Sequence, residues 1–171
     1  MIEGLLTLQI RKIKISMNTY IIDGNNLIGK IKSLSSIQKK EKQTSREKLT
    51  NILNRYFSGK KVKISLHFDG HPNIALPFSK GSIYYSLKQP SDNLIKKEIE
   101  NSNNPRLIIL VTSDHNLMDF GRVCGCTILS STQFSGMIEK SLEKNDESEK
   151  IKQLEKQKDE FLKLFQNKGK N

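Results

Sequence analysis

Leu107-Ile108-Ile109-Leu110-Val111 is followed at once by Thr112-Ser113-Asp114. Five unbroken apolar residues are too few to cross a membrane, and they lack the alternation of a half-exposed strand. They read as a strand buried on both faces, which belongs in a parallel sheet with helices above and below. Upstream, Pro90-Ser91-Asp92 opens a helix carrying Leu94, Ile95 and Ile99, with Ser91 placed as its N-cap. Downstream, a short helix through Leu117, Met118 and Val123 leads to a strand from Cys126 to Leu129, and Thr132 starts the last helical region. Nearer the N-terminus, Thr19 to Ile22 is a β-branched and aromatic run stopping at a turn, Asp23-Gly24. Lys30 to Gln43 is a polar, lysine-rich stretch. Thr44-Ser45-Arg46-Glu47 then has capping-box spacing, with Leu49, Ile52, Leu53, Tyr56 and Phe57 on one helical face and Gly59 ending the helix. Val62, Ile64, Leu66 and Phe68 alternate through a second strand, and Ile83-Tyr84-Tyr85 is a short third. Strands alternating with helices predict an α/β fold with a mostly parallel central sheet covered on both faces.

In such a sheet the ligand crevice lies outside the carboxyl ends of the strands. Three of the strands run into aspartate, at Asp23, Asp69 and Asp114, and Asp92 sits in the first turn of a helix. Aspartate after a strand is often only a turn former or a helix cap, but four along one edge would be a concentration of charge. Gathered carboxylates repel one another unless a cation neutralises them. Oxygen-only ligands select Mg²⁺ or Mn²⁺ over zinc.

The chain carries 29 basic and 18 acidic residues, a net charge of +11. Most of the basic residues are lysine, the bias that an AT-rich coding sequence imposes, so the distribution is more informative than the total. Residues 1–136 hold 20 basic and 10 acidic side chains, against 9 and 8 in residues 137–171. The excess belongs to the body, which favours a polyanion-facing surface. Carboxylate-held metal within a basic surface describes phosphodiester chemistry, and no serine has a partner that would make it a nucleophile. Lys30, Lys88 and His71 are the candidate RNA contacts around that crevice.

Asp23-Gly24-Asn25-Asn26-Leu27-Ile28-Gly29, Phe68-Asp69-Gly70-His71, Pro90-Ser91-Asp92 and Thr112-Ser113-Asp114 resemble, in order and spacing, the successive motifs of the NYN domain. The likeness is to its YacP-like branch, within the PIN-like nuclease superfamily, and covers about Asn18 to Leu142. It implies a PIN-like three-layer α/β/α sandwich and a divalent-metal-dependent endoribonuclease, with relatives acting on mRNA in a translation-linked, ribosomal setting. By the same resemblance Asp23, Asp92 and Asp114 are catalytic metal-site carboxylates and Asp69 a fourth acidic group. Asn26 is then a polar neighbour, and Thr112 and Ser113 are orienting hydroxyls. Two departures stand out: Asn116 occupies a supporting position where many relatives have another aspartate, and Pro-Ser-Asp replaces the usual Thr-Ala-Asp. The rival reading is a non-catalytic RNA- or ribosome-binding module on the same fold.

Other patterns carry less. Gly24 to Lys30 satisfies the letter of a Walker A loop, but Ile31 stands where a hydroxyl should follow and Leu27-Ile28 puts apolar bulk in the loop. Cys124 and Cys126, with no second pair, read as buried thiols of a cytoplasmic protein in a reducing compartment. Residues 1–16 read as an N-terminal extension, either preceding the true start at Met17, which opens a cleaner beginning, or adding a short extra strand; Gly4 to Ile10 is too short for a secretory leader. Residues 17–142 form the expected domain. Residues 143–171 form a charged amphipathic helix with Ile151, Leu154, Phe161 and Phe165 at 3–4 spacing, which packs on its own domain, pairs with a second copy as a homodimer, or docks on a partner. No membrane association is expected.

Overall fold

Ile21 and Ile22 are adjacent on one strand and both fully buried, yet they belong to different cores, because successive strand side chains point to opposite faces. That strand is the middle of the sheet. The computed structural model describes residues 17–72 and 75–168, with side chains as far as Lys158, so residues 1–16 and the expectation placed on them lie outside the described residues. In chain order the elements are β1 (Thr19–Asp23), α1 (Gly24–Lys30), α2 (Lys32–Gln38), α3 (Lys42–Tyr56), β2 (Lys63–Phe68), β3 (Gly81–Tyr85) and α4 (Ser91–Glu100). A one-turn 3₁₀ helix at Pro105–Leu107 precedes β4 (Ile108–Val111), α5 (His115–Val123), β5 (Thr127–Leu129) and α6 (Ser131–Lys168).

The five strands are ordered β3-β2-β1-β4-β5, and every pairing is parallel. On one face Ile22, Ile64, Leu66, Phe68 and Val111 pack against α1, α2, α3 and the start of α6. There Tyr20, Tyr56, Phe57 and Phe134 form an aromatic group with ring centroids 4.8–6.0 Å apart. On the other face Ile21, Ile108 and Leu110 pack against Ile95 and Ile99 of α4 and Leu117 of α5. Three layers result, the α/β/α sandwich expected.

Several local expectations are corrected. The polar stretch from Lys30 to Gln43 contains α2, anchored by Leu34, which is almost wholly buried. The capping box does not form: α3 starts at Lys42, and the Thr44 hydroxyl donates to Glu41 instead of capping. The chain makes no separate turn after β1, since α1 begins at Gly24 directly. β2 is not half-exposed, because Ser65 and His67 are buried beneath α4. Val123 is 88% exposed, lying six positions beyond Leu117 and so across the helix from its apolar face. Helix α6 runs unbroken through residues 142–143, where the sequence reading divides domain from appended helix. Residues 147–158 of it are exposed throughout, so this stretch does not pack on its own domain. No helix among the described residues is long and apolar enough to cross a membrane.

Candidate active site

Strand order reverses on either side of β1, so the switch point of the sheet lies between β1 and β4. Ligands of open α/β sheets bind there, beyond the carboxyl ends of the strands. Asp23 is the last residue of β1, only 6% exposed. One carboxylate oxygen accepts the Asn26 N–H at 3.1 Å, capping α1. The other accepts the Thr112 hydroxyl at 3.2 Å, and the same Thr112 oxygen accepts the Asp114 N–H at 3.1 Å. Asp114 in turn caps α5 by accepting the Leu117 N–H at 2.9 Å. The Asn26 side-chain oxygen accepts the Ser113 N–H at 3.1 Å, and the Ser113 hydroxyl accepts the Ser131 N–H at 3.1 Å. Thr112 and Asn26 thus tie the two strand ends, and Ser113 ties α6 to them.

Only glycine fits after Asp23. A Cβ on Gly24 would lie 2.4 and 2.6 Å from the Phe68 ring and 2.8 Å from the His67 carbonyl oxygen. This close approach lets α1 start immediately behind the carboxylate.

Asp69 joins the other side of the edge. Its carboxylate accepts the Ser91 N–H at 2.9 Å and the Asn25 side-chain amide on its second oxygen. Here another expectation is corrected: Pro90 is the N-cap of α4, and Ser91 is its buried first residue. The capping work expected of Ser91 is done by Asp69, reaching over from β2. This hydrogen bond sets Asp92, the next residue, beside the other carboxylates.

The electrostatics reflect the crowding. Burial pushes the Asp23 carboxyl up to about 6; the Asn26 and Thr112 hydrogen bonds oppose this, while the Asp92 and Asp69 charges add to it. Asp92 is also raised, by burial and then by Asp114 and Asp69, with Lys96 in opposition. Burial raises Asp69 too, but hydrogen bonds from Ser91 and Asn25 and the Arg46 guanidinium outweigh it and hold the group below the usual range. Asp69 is therefore satisfied within the chain, whereas Asp23 and Asp92 are short of positive charge. Among the described residues no three His, Cys, Asp or Glu side chains are grouped so that together they could hold one metal ion. The carboxylates line an open edge.

The remaining expected residues are placed unevenly. Asn116 is exposed on the second position of α5, beside Asp114. Lys88 is exposed in the turn between β3 and α4, and exposed His71 follows the Asp69-Gly70 turn, both on the carboxylate side. Lys30 is not brought to the edge: it ends α1, about 9 Å along the helix from Gly24.

Two groupings have no signature in the sequence. Arg46 of α3 is 7% exposed, donates to the carbonyls of Asp69 and His71 at 2.6 and 3.1 Å, and lies over the Phe68 and Tyr85 rings. On the far face Glu98 accepts from Ser65 and from His67 Nε2, the latter at 2.7 Å, beside a cavity of about 460 Å³ also lined by Thr19, Lys63 and Ile108 at the amino ends of three strands. That cavity is separate from the carboxylate edge. Both groupings join residues distant along the chain, and no local pattern announces them. The cysteines are free thiols, with burial pushing Cys126 up to about 11.

A family model described as the YacP-like NYN domain matches residues 20–170. The fold is also that of two crystal structures of Rae1 (YacP) from Bacillus subtilis. A point mutant is 21% identical at a TM-score of 0.66, covering 80% of this chain and 85% of that one. The other is 22% identical at a TM-score of 0.62, covering 88% and 93%. No curated protein matches significantly. With the family model spanning most of its length and the four motifs meeting at one sheet edge, the chain belongs to the YacP-like NYN domain family.

Proposed function

We propose that the protein is a divalent-metal-dependent endoribonuclease, acting on mRNA in a translation-linked setting. The observation that carries this reading is the row of aspartates at the switch point, where Asp23 and Asp92 are held up in pKa by burial and by neighbouring carboxylates. A module that only gripped polyanions would gain nothing from such a row. The donors fit Mg²⁺ or Mn²⁺: they are carboxylate oxygens on an open edge, and Mg²⁺ keeps several waters, needing one or two carboxylates plus substrate phosphate. One or two of Asp23, Asp92 and Asp114 would hold the ion directly, with water and substrate phosphate completing its shell, and Asp69 would hold the α4 terminus that carries Asp92. When bound, the ion supplies an acidified water for in-line attack and stabilises charge on the transferring phosphoryl group. Thr112 and Asn26 orient Asp23, and the Leu117 N–H orients Asp114.

The test uses single-stranded and loop-containing RNA, and translated message on ribosomes, with Mg²⁺, Mn²⁺ or chelator. Wild type is expected to cleave only with metal. Asp114→Asn keeps a good helix cap and is expected to lose cleavage while binding RNA equally well or more tightly. Failure to cleave any of these RNAs, with binding intact, would establish the non-catalytic alternative, for which Asn116 in place of an acid is the best support.

A further inference from the structure

Next to the carboxylate edge lies a cleft of about 530 Å³, between the end of α2, the start of α3 and the Asp69-Gly70-His71 turn. It shares Asn25 and Asp69 with the edge and continues it toward α3. Its wall contains the Arg46 guanidinium, which is held by two backbone carbonyls and makes no ion pair within 4.0 Å with any carboxylate among the described residues. The guanidinium acts on the Asp69 carboxylate through space without a direct ion pair, so its positive charge in the wall is only partly offset. Lys42 adds an exposed ammonium on the same rim, and Gln38 and His71 add polar side chains. The one carboxylate present, Asp69, has both oxygens engaged by Asn25 and Ser91. The volume suits a phosphodiester with its sugar.

We propose that this cleft is a phosphate subsite for the RNA backbone, receiving a nucleotide next to the one at the carboxylate edge. Resting on the endoribonuclease reading, it gives the strand a path: from the aspartates over Asp69 to Lys42 and Arg46, on the α3 side of the sheet. Arg46 is a positioning residue, fixing the Asp69–His71 turn and charging the wall. Lys42 is the direct phosphate ligand.

The experiment measures equilibrium binding of a labelled single-stranded RNA of about a dozen nucleotides, a span typical of single-strand binding sites. It is done without divalent ions across a salt series, in full-length wild type and in Lys42→Glu. Lys150→Glu, on the exposed part of α6, is the charge-matched control. Lys42→Glu is expected to weaken binding about tenfold at low salt. The slope of log affinity against log salt should become shallower by roughly 0.7 for each phosphate that is no longer neutralised. Its melting midpoint should match wild type, since Lys42 is exposed. Equal binding by Lys42→Glu and Lys150→Glu, in a protein that still cleaves RNA, overturns the subsite and leaves the nuclease reading standing. Selective weakening in Lys42→Glu, from a protein that cleaves nothing, sustains the subsite and overturns the nuclease reading. Wild type that binds no RNA overturns both.

Discussion

Asp23 is squeezed between two hydrogen-bond donors and two other carboxylates, and the sign of its effect on stability follows. The folded protein holds this proton up to about pH 6, whereas the unfolded chain releases it near pH 4. Between those values the native state binds more protons, so stability falls as pH rises through the window, by up to about 3 kcal/mol. Asp23→Asn removes that penalty. In urea melts without metal it is expected to be more stable than wild type by about 1–3 kcal/mol at pH 7 and close to equal at pH 4. Added Mg²⁺ should raise the wild-type midpoint at pH 7 and leave the variant unmoved; a variant less stable than wild type at pH 7 would refute the assigned strain. Gly24 is the opposite case, a residue defined by what it lacks. Gly24→Ala forces a methyl group against the fully buried Phe68 ring and the His67 carbonyl. A destabilisation of about 2 kcal/mol or more is expected by urea denaturation, with wild-type stability as the contrary result.

At the scale of elements, α6 divides into two unlike halves. Phe134 and Ile138 are buried against α1 and α3, and Arg55 pairs with Asp146 across 2.9 Å. Beyond that pair, Ile151 and Leu154 are 57% and 64% exposed. Removing residues 147–171 is therefore expected to leave the melting midpoint within about 2 °C, because residues 147–158 are exposed throughout and cover no core. Sedimentation of both forms tests the homodimer expectation, which requires a full-length dimer that becomes monomeric on truncation. The elements differ in how plainly they can be read. β1 ends at Asp23 itself and β4 is an apolar run followed by Thr112-Ser113-Asp114, so their ends, and with them Asp23 and Asp114, are legible. Helix α2 is not, since Ile31, Leu34 and Ile37 are scattered among lysines and serines whose polarity hides the face. The start of α4 misleads because its cap comes from Asp69, more than twenty residues earlier. Arg46 looks like one more charged position on an amphipathic helix, and only the packed structure brings Phe68, Tyr85 and two carbonyls around it.

For the whole molecule, the parallel topology turns residues scattered over more than ninety positions into one edge. Residues 1–136 carry a surplus of basic side chains, whereas the carboxylate edge itself is negative. Under the proposed function, long-range attraction of a polyanion and local demand for a cation would be carried by different residues, and salt should weaken the first far more than the second. The central place of β1 has a further consequence for motion. Its amides bond on both sides, to β2 and β4, beneath two covered faces. Edge strands and the outer half of α6 are free to fray, but β1 is released only when the sheet comes apart. The amides of Ile21 and Ile22 are therefore expected to exchange with deuterium at the rate of global unfolding, the slowest in the chain. Asp23 rides on the same strand, so its carboxylate is expected to keep its place through every partial opening, and the Asp23 end of the acidic edge to last as long as the fold itself.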